Sequence, residues 1–195
     1  MEYSAGMVCQ LFVFVETRKT AELIVSGMSK DEIRSKILKE NLYQLKNEER
    51  RRRTFNYVWK RLESLPEGAV ELLVHVDNAN AKLLTLVGVM LTDKLFFEFV
   101  YEIYRGKIIL GEKNIEDRDL NVFFSDKAAQ NESIAAWTES SVKKLKQCYV
   151  KYLTEAGLLT STKTREISHA FLNYKIEELL QKNGMEAYIH AIKGV

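Results

Sequence analysis

The 195-residue sequence has little proline and glycine, with one proline and nine glycines. Because both residues interrupt helices, their scarcity predicts long helices joined by short connections. Hydrophobic residues make up 46% of the chain and charged residues 29%, which is ordinary for a folded soluble protein. The formal net charge is only +2, so the total charge does not indicate any class of partner.

The sequence also lacks the motifs of common enzymes and metal sites. His75, His169 and His190 are scattered without metal-ligand spacing. There is no glycine-rich phosphate loop, no GxSxG and no CxxC. The acidic group at positions 116, 117 and 119 is explained better by helix capping than by metal binding. We therefore expect a protein without catalytic residues, metal, cofactor or small-molecule substrate.

Cysteine content and apolar run length bear on the compartment. Cys9 and Cys148 have neither metal nor disulfide spacing, which predicts two reduced thiols in the interior and a reducing compartment. The longest uncharged apolar run, Leu83 to Leu91, is far shorter than the roughly 20 residues that cross a bilayer. The N-terminus lacks a basic region before its short apolar run and is a poor signal peptide. We expect a cytoplasmic protein with no membrane partner.

The densest apolar stretch runs from Leu83 to Leu110 and is split by Thr92 and Asp93. Apolar residues lie almost all round the first half, and they recur every three or four positions in the second half. This pattern predicts two consecutive buried helices within residues 80–106, the second capped by Thr92 or Asp93.

The only proline, Pro66, marks the best candidate boundary between two parts, residues 1–65 and 66–195. The elements before it have the order of a helix-turn-helix-like unit. They are a helix, a glycine turn, a short helix with a Ser29–Glu32 capping box, and a basic helix. Any three-helix bundle gives the same pattern. We predict an all-α protein, with this small helical N-terminal part and a larger helical C-terminal part that contains a winged-helix-like segment at 117–167.

The most basic helix lies in the N-terminal part. From Lys46 to Glu63 the chain has seven basic residues and three acidic ones. The spacing of Phe55, Val58, Trp59 and Leu62 predicts its inward face. Four successive arginines span a whole helical turn, so they cannot all face one groove. The candidate DNA-binding residues on this helix are Arg50, Arg51, Arg52, Arg53, Lys60 and Arg61.

A second basic surface is predicted on the helix from Thr138 to Ala156. Its inward residues are Val142, Leu145, Tyr149, Tyr152 and Leu153. Gly157 ends the helix, and the basic, β-branched segment 162–167 has the character of a wing. Lys and Arg neutralise the phosphates of nucleic acids, although two solvated helix faces would give the same pattern. The candidates here are Lys143, Lys144, Lys146, Lys151, Lys163 and Arg165.

Several stretches together resemble one known family. They are YSAG at 3–6, AELIVSGMSKDEIRSKILKEN at 21–41, RRRTFNYVWKRLESL at 51–65, TDKLFFEFVYEIYRGKIILG at 92–111 and DLNVFFSDKAAQNESIAAWTESSVKKLKQCYVKYLTEAGLL at 119–159. In order and spacing they resemble the BrxA proteins of BREX phage-defence systems. The resemblance implies a small, mainly helical, cytoplasmic DNA-binding protein with helix-turn-helix character.

By that resemblance the chain is a non-catalytic accessory component that binds double-stranded DNA and meets other BREX subunits. The resemblance transfers no individual contact residues, so the basic residues above rest on charge and helix face alone. Two alternatives stay open. One is an interaction scaffold whose basic faces meet acidic protein surfaces, and the other is an RNA-binding helical protein.

Overall fold

The computed structural model describes residues 2–195, which form helices joined by short turns, so the predicted all-α class is confirmed. A short 3₁₀ helix, Gly6–Cys9, precedes the α-helices, and one π-helical turn, Val100–Tyr104, lies between two of them. The α-helices are α1 (Phe14–Val25), α2 (Lys30–Lys39), α3 (Glu48–Glu63), α4 (Ala69–His75), α5 (Asn78–Thr92), α6 (Lys94–Phe99), α7 (Arg105–Ile109), α8 (Asp117–Gln130), α9 (Glu132–Ala135), α10 (Glu139–Ala156), α11 (Tyr174–Lys182) and α12 (Glu186–Lys193).

Helices α2 and α3 start at residues that local chemistry favours. Ser29 and Glu32 form the predicted capping box, in which the Ser29 N–H donates to Glu32 Oε2 at 2.8 Å. Asn47 caps α3 by accepting from the Arg50 N–H at 2.8 Å. Between α2 and α3 lies a small hydrophobic cluster of its own, formed by Ile33, Ile37, Tyr43 and Phe55.

The predicted buried pair at 80–106 corresponds to α5 and α6, and the second helix continues beyond Phe99 through the π-helical turn into α7. Asp93 caps α6 by accepting from the Phe96 N–H at 2.9 Å. Phe99 is 0% exposed, and its ring centroid lies 5.2 Å from that of Tyr149 on α10 and 5.3 Å from that of Phe123 on α8. The buried pair therefore contributes to the core on which α8 and α10 pack.

Helix α5 also passes very close to α3. A Cβ atom built at Gly88 would lie 3.0 Å from the Arg61 carbonyl oxygen, closer than nearly all real Cβ contacts. Only glycine fits this crossing without a shift of backbone. The close approach fixes α3 against the central helix.

One large hydrophobic cluster continues across the predicted boundary at Pro66. It includes Phe12, Val58 and Leu62 before the proline, together with Leu73 and Leu84 after it. The division into residues 1–65 and 66–195 stays a prediction.

The acidic group at 116, 117 and 119 lies at the start of α8. The Glu116 N–H donates to the Asp119 carboxylate at 2.7 Å, so Glu116 caps α8 and Asp117 is its first helical residue. Helix α10 behaves as expected, because Thr138 caps it and Gly157, with φ 85°, ends it in the left-handed conformation.

A tight hairpin-like turn follows α10. The Thr160 N–H donates to the Glu166 carbonyl at 2.9 Å, and the Ser168 N–H donates to the Leu158 carbonyl at 2.9 Å. The returning segment also pairs with the residues before α8, since the Ile115 N–H donates to the Arg165 carbonyl at 3.1 Å. Isolated antiparallel bridges join Leu159 to Ile167 and Asn114 to Glu166, and they connect the three segments.

Two further findings concern the compartment predictions. Cys148 is half-buried, but Cys9 is exposed at the end of the 3₁₀ helix, so the expectation of an interior thiol is wrong for Cys9. Met7 on the same 3₁₀ helix is by contrast buried in the main hydrophobic cluster, so only one side of this helix faces solvent. Over residues 2–195, no helix combines the length and the apolar content needed to cross a bilayer.

Candidate nucleic-acid interface

The arginine run of α3 is distributed around the helix. Arg50, Arg52 and Arg53 are exposed, whereas Arg51 is half-buried and donates from Nη1 to the Leu45 carbonyl at 3.4 Å. The inward face is as predicted, with Phe55, Val58 and Leu62 buried and Trp59 half-buried. The charges therefore point in several directions.

Two of these arginines face a groove between α3 and the segment after the 3₁₀ helix. Arg50 and Arg53 lie on the same side of α3 as Thr54 and Tyr57, and together they line a space of about 430 Å³. Arg53 also lies 3.8 Å from Glu49 in an exposed ion pair. An exposed pair of this kind is weak, so the Arg53 guanidinium stays available to another anion.

Arg61 corrects the sequence-based expectation. It is 2% exposed, and a side chain at that depth cannot reach a phosphate at the surface. Its guanidinium donates to the carbonyl oxygens of Leu11 (2.8 Å) and Phe12 (3.2 Å), to Gln10 Oε1 (3.0 Å) and to the Tyr152 hydroxyl (3.2 Å). Arg61 thus joins the N-terminal segment, α3 and α10.

Burial shapes the chemistry around this arginine. Burial raises the pKa of the Tyr152 hydroxyl, and this effect outweighs the nearby Arg61 charge, which lowers the pKa. The hydroxyl beside Arg61 is therefore neutral. The Arg61 guanidinium lies 4.8 Å from the centroid of the Tyr57 ring and 5.6 Å from that of Tyr152. Carbonyl oxygens and aromatic faces therefore stabilise the buried charge.

The basic residues of α10 behave differently, because several of them meet at one place. Lys143, Lys146 and Lys151 line a single groove of about 410 Å³ together with Arg165 from the hairpin-like turn. The lysines are spaced so that they fall on neighbouring turns of one helix face. We call this space the α10 groove. It collects four of the six basic residues predicted for the C-terminal surface.

Arg165 is held in place by contacts with α8. Its Nη1 atom donates to the Asp117 carboxylate at 2.5 Å, while its Nε atom is buried without a hydrogen-bond acceptor in the structure. The Arg165 backbone has φ 51°, in the left-handed region that side chains rarely adopt. Such conformations are concentrated at functional sites.

The remaining basic residues lie around the groove. Lys146 donates to the Asn121 side-chain oxygen at 2.7 Å, which orients it along α8. Lys144 and Lys163 are exposed and do not line the groove, Lys144 on α10 and Lys163 in the turn. Lys60 of α3 is likewise exposed.

Sequence reasoning missed the other walls of the α10 groove. Gln147 lies one helical turn from both Lys143 and Lys151 and could have been found from that spacing. Asp117, Leu120 and Thr162 come from other segments, and no local pattern places them beside α10. Among residues 2–195, His, Cys, Asp and Glu side chains do not gather into a cluster that could hold a metal ion.

Comparison with known proteins agrees with the order of elements described above. The family model named BrxA matches residues 1–184. The chain belongs to the BrxA family. A protein named "BREX protein BrxA" from Bacillus cereus (strain H3081.97) is 33% identical over 193 residues, covering 98% of this chain and 96% of the relative.

The similarity to more distant proteins also covers most of the chain. The BREX protein BrxA of Escherichia coli O9:H4 (strain HS) is 22% identical over 92% of this chain and 84% of its own length. A crystal structure of an uncharacterized protein from Magnetospirillum magneticum superposes with a TM-score of 0.85 and 19% sequence identity, covering 100% of both chains. At that identity the superposition shows only that the two chains share their fold over their whole length.

Proposed function

We propose that this BrxA-family protein is a non-catalytic, cytoplasmic DNA-binding component of a BREX phage-defence system. It binds duplex DNA mainly through phosphates, with weak sequence preference. The observation that carries the proposal is the convergence of Lys143, Lys146, Lys151 and Arg165 on one groove beside an exposed helix. Phosphate neutralisation by clustered basic side chains is the main source of affinity for nucleic acids.

The order of elements around the α10 groove supports a winged-helix interpretation. A short extended segment, three helices (α8, α9 and α10) and a hairpin follow one another, and the hairpin pairs back with the segment before α8. In this arrangement α10 is the helix that lies against DNA and the turn at 160–167 is the wing. Lys163, at the exposed tip, would then contact the phosphate backbone beside the α10 contacts.

The arginine helix supports a second, smaller contact. Helices α1, α2 and α3 have the helix-turn-helix-like order, and Arg50, Arg52, Arg53 and Lys60 are exposed on α3. Arg51 is half-buried and contributes less, and Arg61 is excluded by burial. Because the exposed charges point in different directions, only some of them can meet one duplex.

An interaction scaffold is the second candidate, and exposed apolar side chains favour it. Phe171 is 84% exposed and Leu110 is 73% exposed. Exposed apolar side chains of this size can pack against another protein. Other BREX subunits are the natural partners for them, since the relatives are named as BREX proteins.

Fluorescence anisotropy with a labelled duplex at several salt concentrations tests the proposal. We expect binding at low salt and a linear fall of the logarithm of the association constant with the logarithm of the salt concentration, with a slope of about −0.9 for each phosphate contact. Duplexes of unrelated sequence should bind alike. Absence of binding at low salt would favour the scaffold, and preference for RNA of equal length would favour an RNA-binding role.

A further inference from the structure

The α10 groove has more depth and more apolar wall than a phosphate contact uses. Leu120 from α8 and Val150 from α10 reach its floor, and apolar atoms form more of its lining than polar atoms do. Its volume of about 410 Å³ lies in the range of small-molecule sites, which measure about 300–1,000 Å³. A DNA backbone lying across the surface would meet the basic rim and leave this floor empty.

The rim of the groove has cationic groups that are free to bind an anion. Lys143 has no carboxylate within ion-pair distance in residues 2–195, and Lys151 lies 3.6 Å from Glu155 in an exposed, weak pair. Arg165 uses Nη1 for Asp117, and its side chain is still partly exposed along the groove. An anion seated between these side chains would receive charge-assisted hydrogen bonds.

An apolar floor beneath a cationic rim fits a ligand with a flat, largely apolar body and an anionic group. The side chains of Gln147 and Thr162 add amide and hydroxyl groups that can bond ring nitrogens or carbonyls. A bare inorganic anion would not use the floor, and a neutral aromatic would not use the rim. A nucleoside phosphate has both parts and the right size.

We propose that the α10 groove binds a nucleoside phosphate, with its base against Leu120 and Val150 and its phosphate between Lys143, Lys151 and Arg165. The inference departs from the expectation of no small-molecule ligand. It rests on the proposed function, whose surface it shares, and adds to it a defined ligand class. The nucleotide comes either from solution or from a DNA strand, as an unpaired or unstacked end.

Isothermal titration calorimetry of the full chain with dAMP tests the site. We expect dAMP to bind at least about ten times more tightly than inorganic phosphate or deoxyadenosine, since each of these lacks one half of the contacts. Equal affinity for dAMP and inorganic phosphate would overturn the proposal, because the apolar floor would then contribute nothing.

Three variants locate the ligand, each first shown to be folded by circular dichroism. Lys143→Ala removes one rim charge and should weaken dAMP binding about tenfold. Lys144→Ala removes the same charge from the neighbouring exposed position outside the groove and should leave the affinity unchanged. Gln147→Trp fills the groove without changing its charge and should abolish dAMP binding. Full binding by the folded Gln147→Trp protein would contradict the assignment.

Duplex ends separate the two sources of the nucleotide. If a 5′-phosphorylated duplex with one unpaired nucleotide binds more tightly than the same duplex with blunt ends, and Gln147→Trp removes this difference, the groove takes the end of a DNA strand. If the two duplexes bind equally while dAMP still binds, the groove takes free nucleotide. Failure of the proposed function is measured separately, as loss of duplex binding by the unmodified protein at low salt, whereas failure of this inference is measured by the dAMP titration.

Discussion

The helices α3 and α10 carry six and four basic residues and place them differently. On α3 the arginines are consecutive, so the helical turn of about 100° per residue sends them to different sides. One neighbour, Arg61, is buried altogether. On α10 the lysines at 143, 146 and 151 are three and five positions apart, and they meet Arg165 in one groove. Charge density along a sequence is therefore a poor guide to charge density in space.

The two helices also pack differently, because α10 rests on the main cluster alone whereas α3 is shared between the main and the small cluster. Helix α10 packs on the main cluster through Leu145, Tyr149 and Leu153, which are fully buried. The N-terminal end of the α3 inward face, at Phe55, packs on the small cluster with α2. The C-terminal surface should consequently be the more rigid of the two, and the following changes test this contrast.

Phe99→Ala should have the largest effect. Phe99 is 0% exposed and supports Tyr149 of α10 and Phe123 of α8. Removal of the ring should lower the free energy of unfolding by about 3–5 kcal/mol, measured by urea denaturation. Phe171→Ala, at a position 84% exposed, is the control and should change it little. A Phe99→Ala protein of normal stability would show that this ring does not support the C-terminal surface.

Arg61→Met should have the next largest effect. The substitution keeps much of the volume but leaves the carbonyl oxygens of Leu11 and Phe12 without their donor. We expect a loss of about 1–3 kcal/mol in the free energy of unfolding, with no change in the salt dependence of DNA binding. Lys60→Met removes the same charge from the exposed neighbouring position and should cost less than about 0.5 kcal/mol. Equal stability of the two variants would mean that Arg61 is not a structural residue.

Ser29→Ala should have a smaller, local effect. Loss of the capping box at α2 should cost about 1 kcal/mol. Because α2 packs with α3 on the small cluster, hydrogen exchange should speed up in α2 and α3 and not in α10. Ser125→Ala, at an exposed position inside α8, is the control. Faster exchange in α10 as well would show that the two surfaces open together and that the contrast between them is wrong.

Local chemistry made much of this fold predictable from sequence. The capping box at Ser29, the cap at Asp93, the end of α10 at Gly157 and the buried α5–α6 pair all follow from short-range rules and apolar periodicity. These features depend on residues a few positions apart, so a single sequence contains the information needed to place them.

The candidate site was less predictable because it depends on distant segments. The spacing of apolar residues predicted an inward face for α3. It could not show that Arg61 donates hydrogen bonds to the segment at 10–12 and to a hydroxyl on α10. The pairing of Arg165 with Asp117 joins positions far apart in the chain. Only tertiary packing turns separate basic residues into the α10 groove.

The most direct test of the central claim compares the salt dependence of duplex binding in two triple variants of equal charge. The α10 variant replaces three converging lysines with alanine, at Lys143, Lys146 and Lys151. The α3 variant replaces three dispersed basic residues with alanine, at Arg50, Arg52 and Lys60. With both variants shown to be folded, the α10 variant should reduce the magnitude of the log–log slope by about 2–3 and the α3 variant by about 1 or less. An equal or larger reduction in the α3 variant would contradict the account, because dispersed charges would then contact DNA as fully as converging ones.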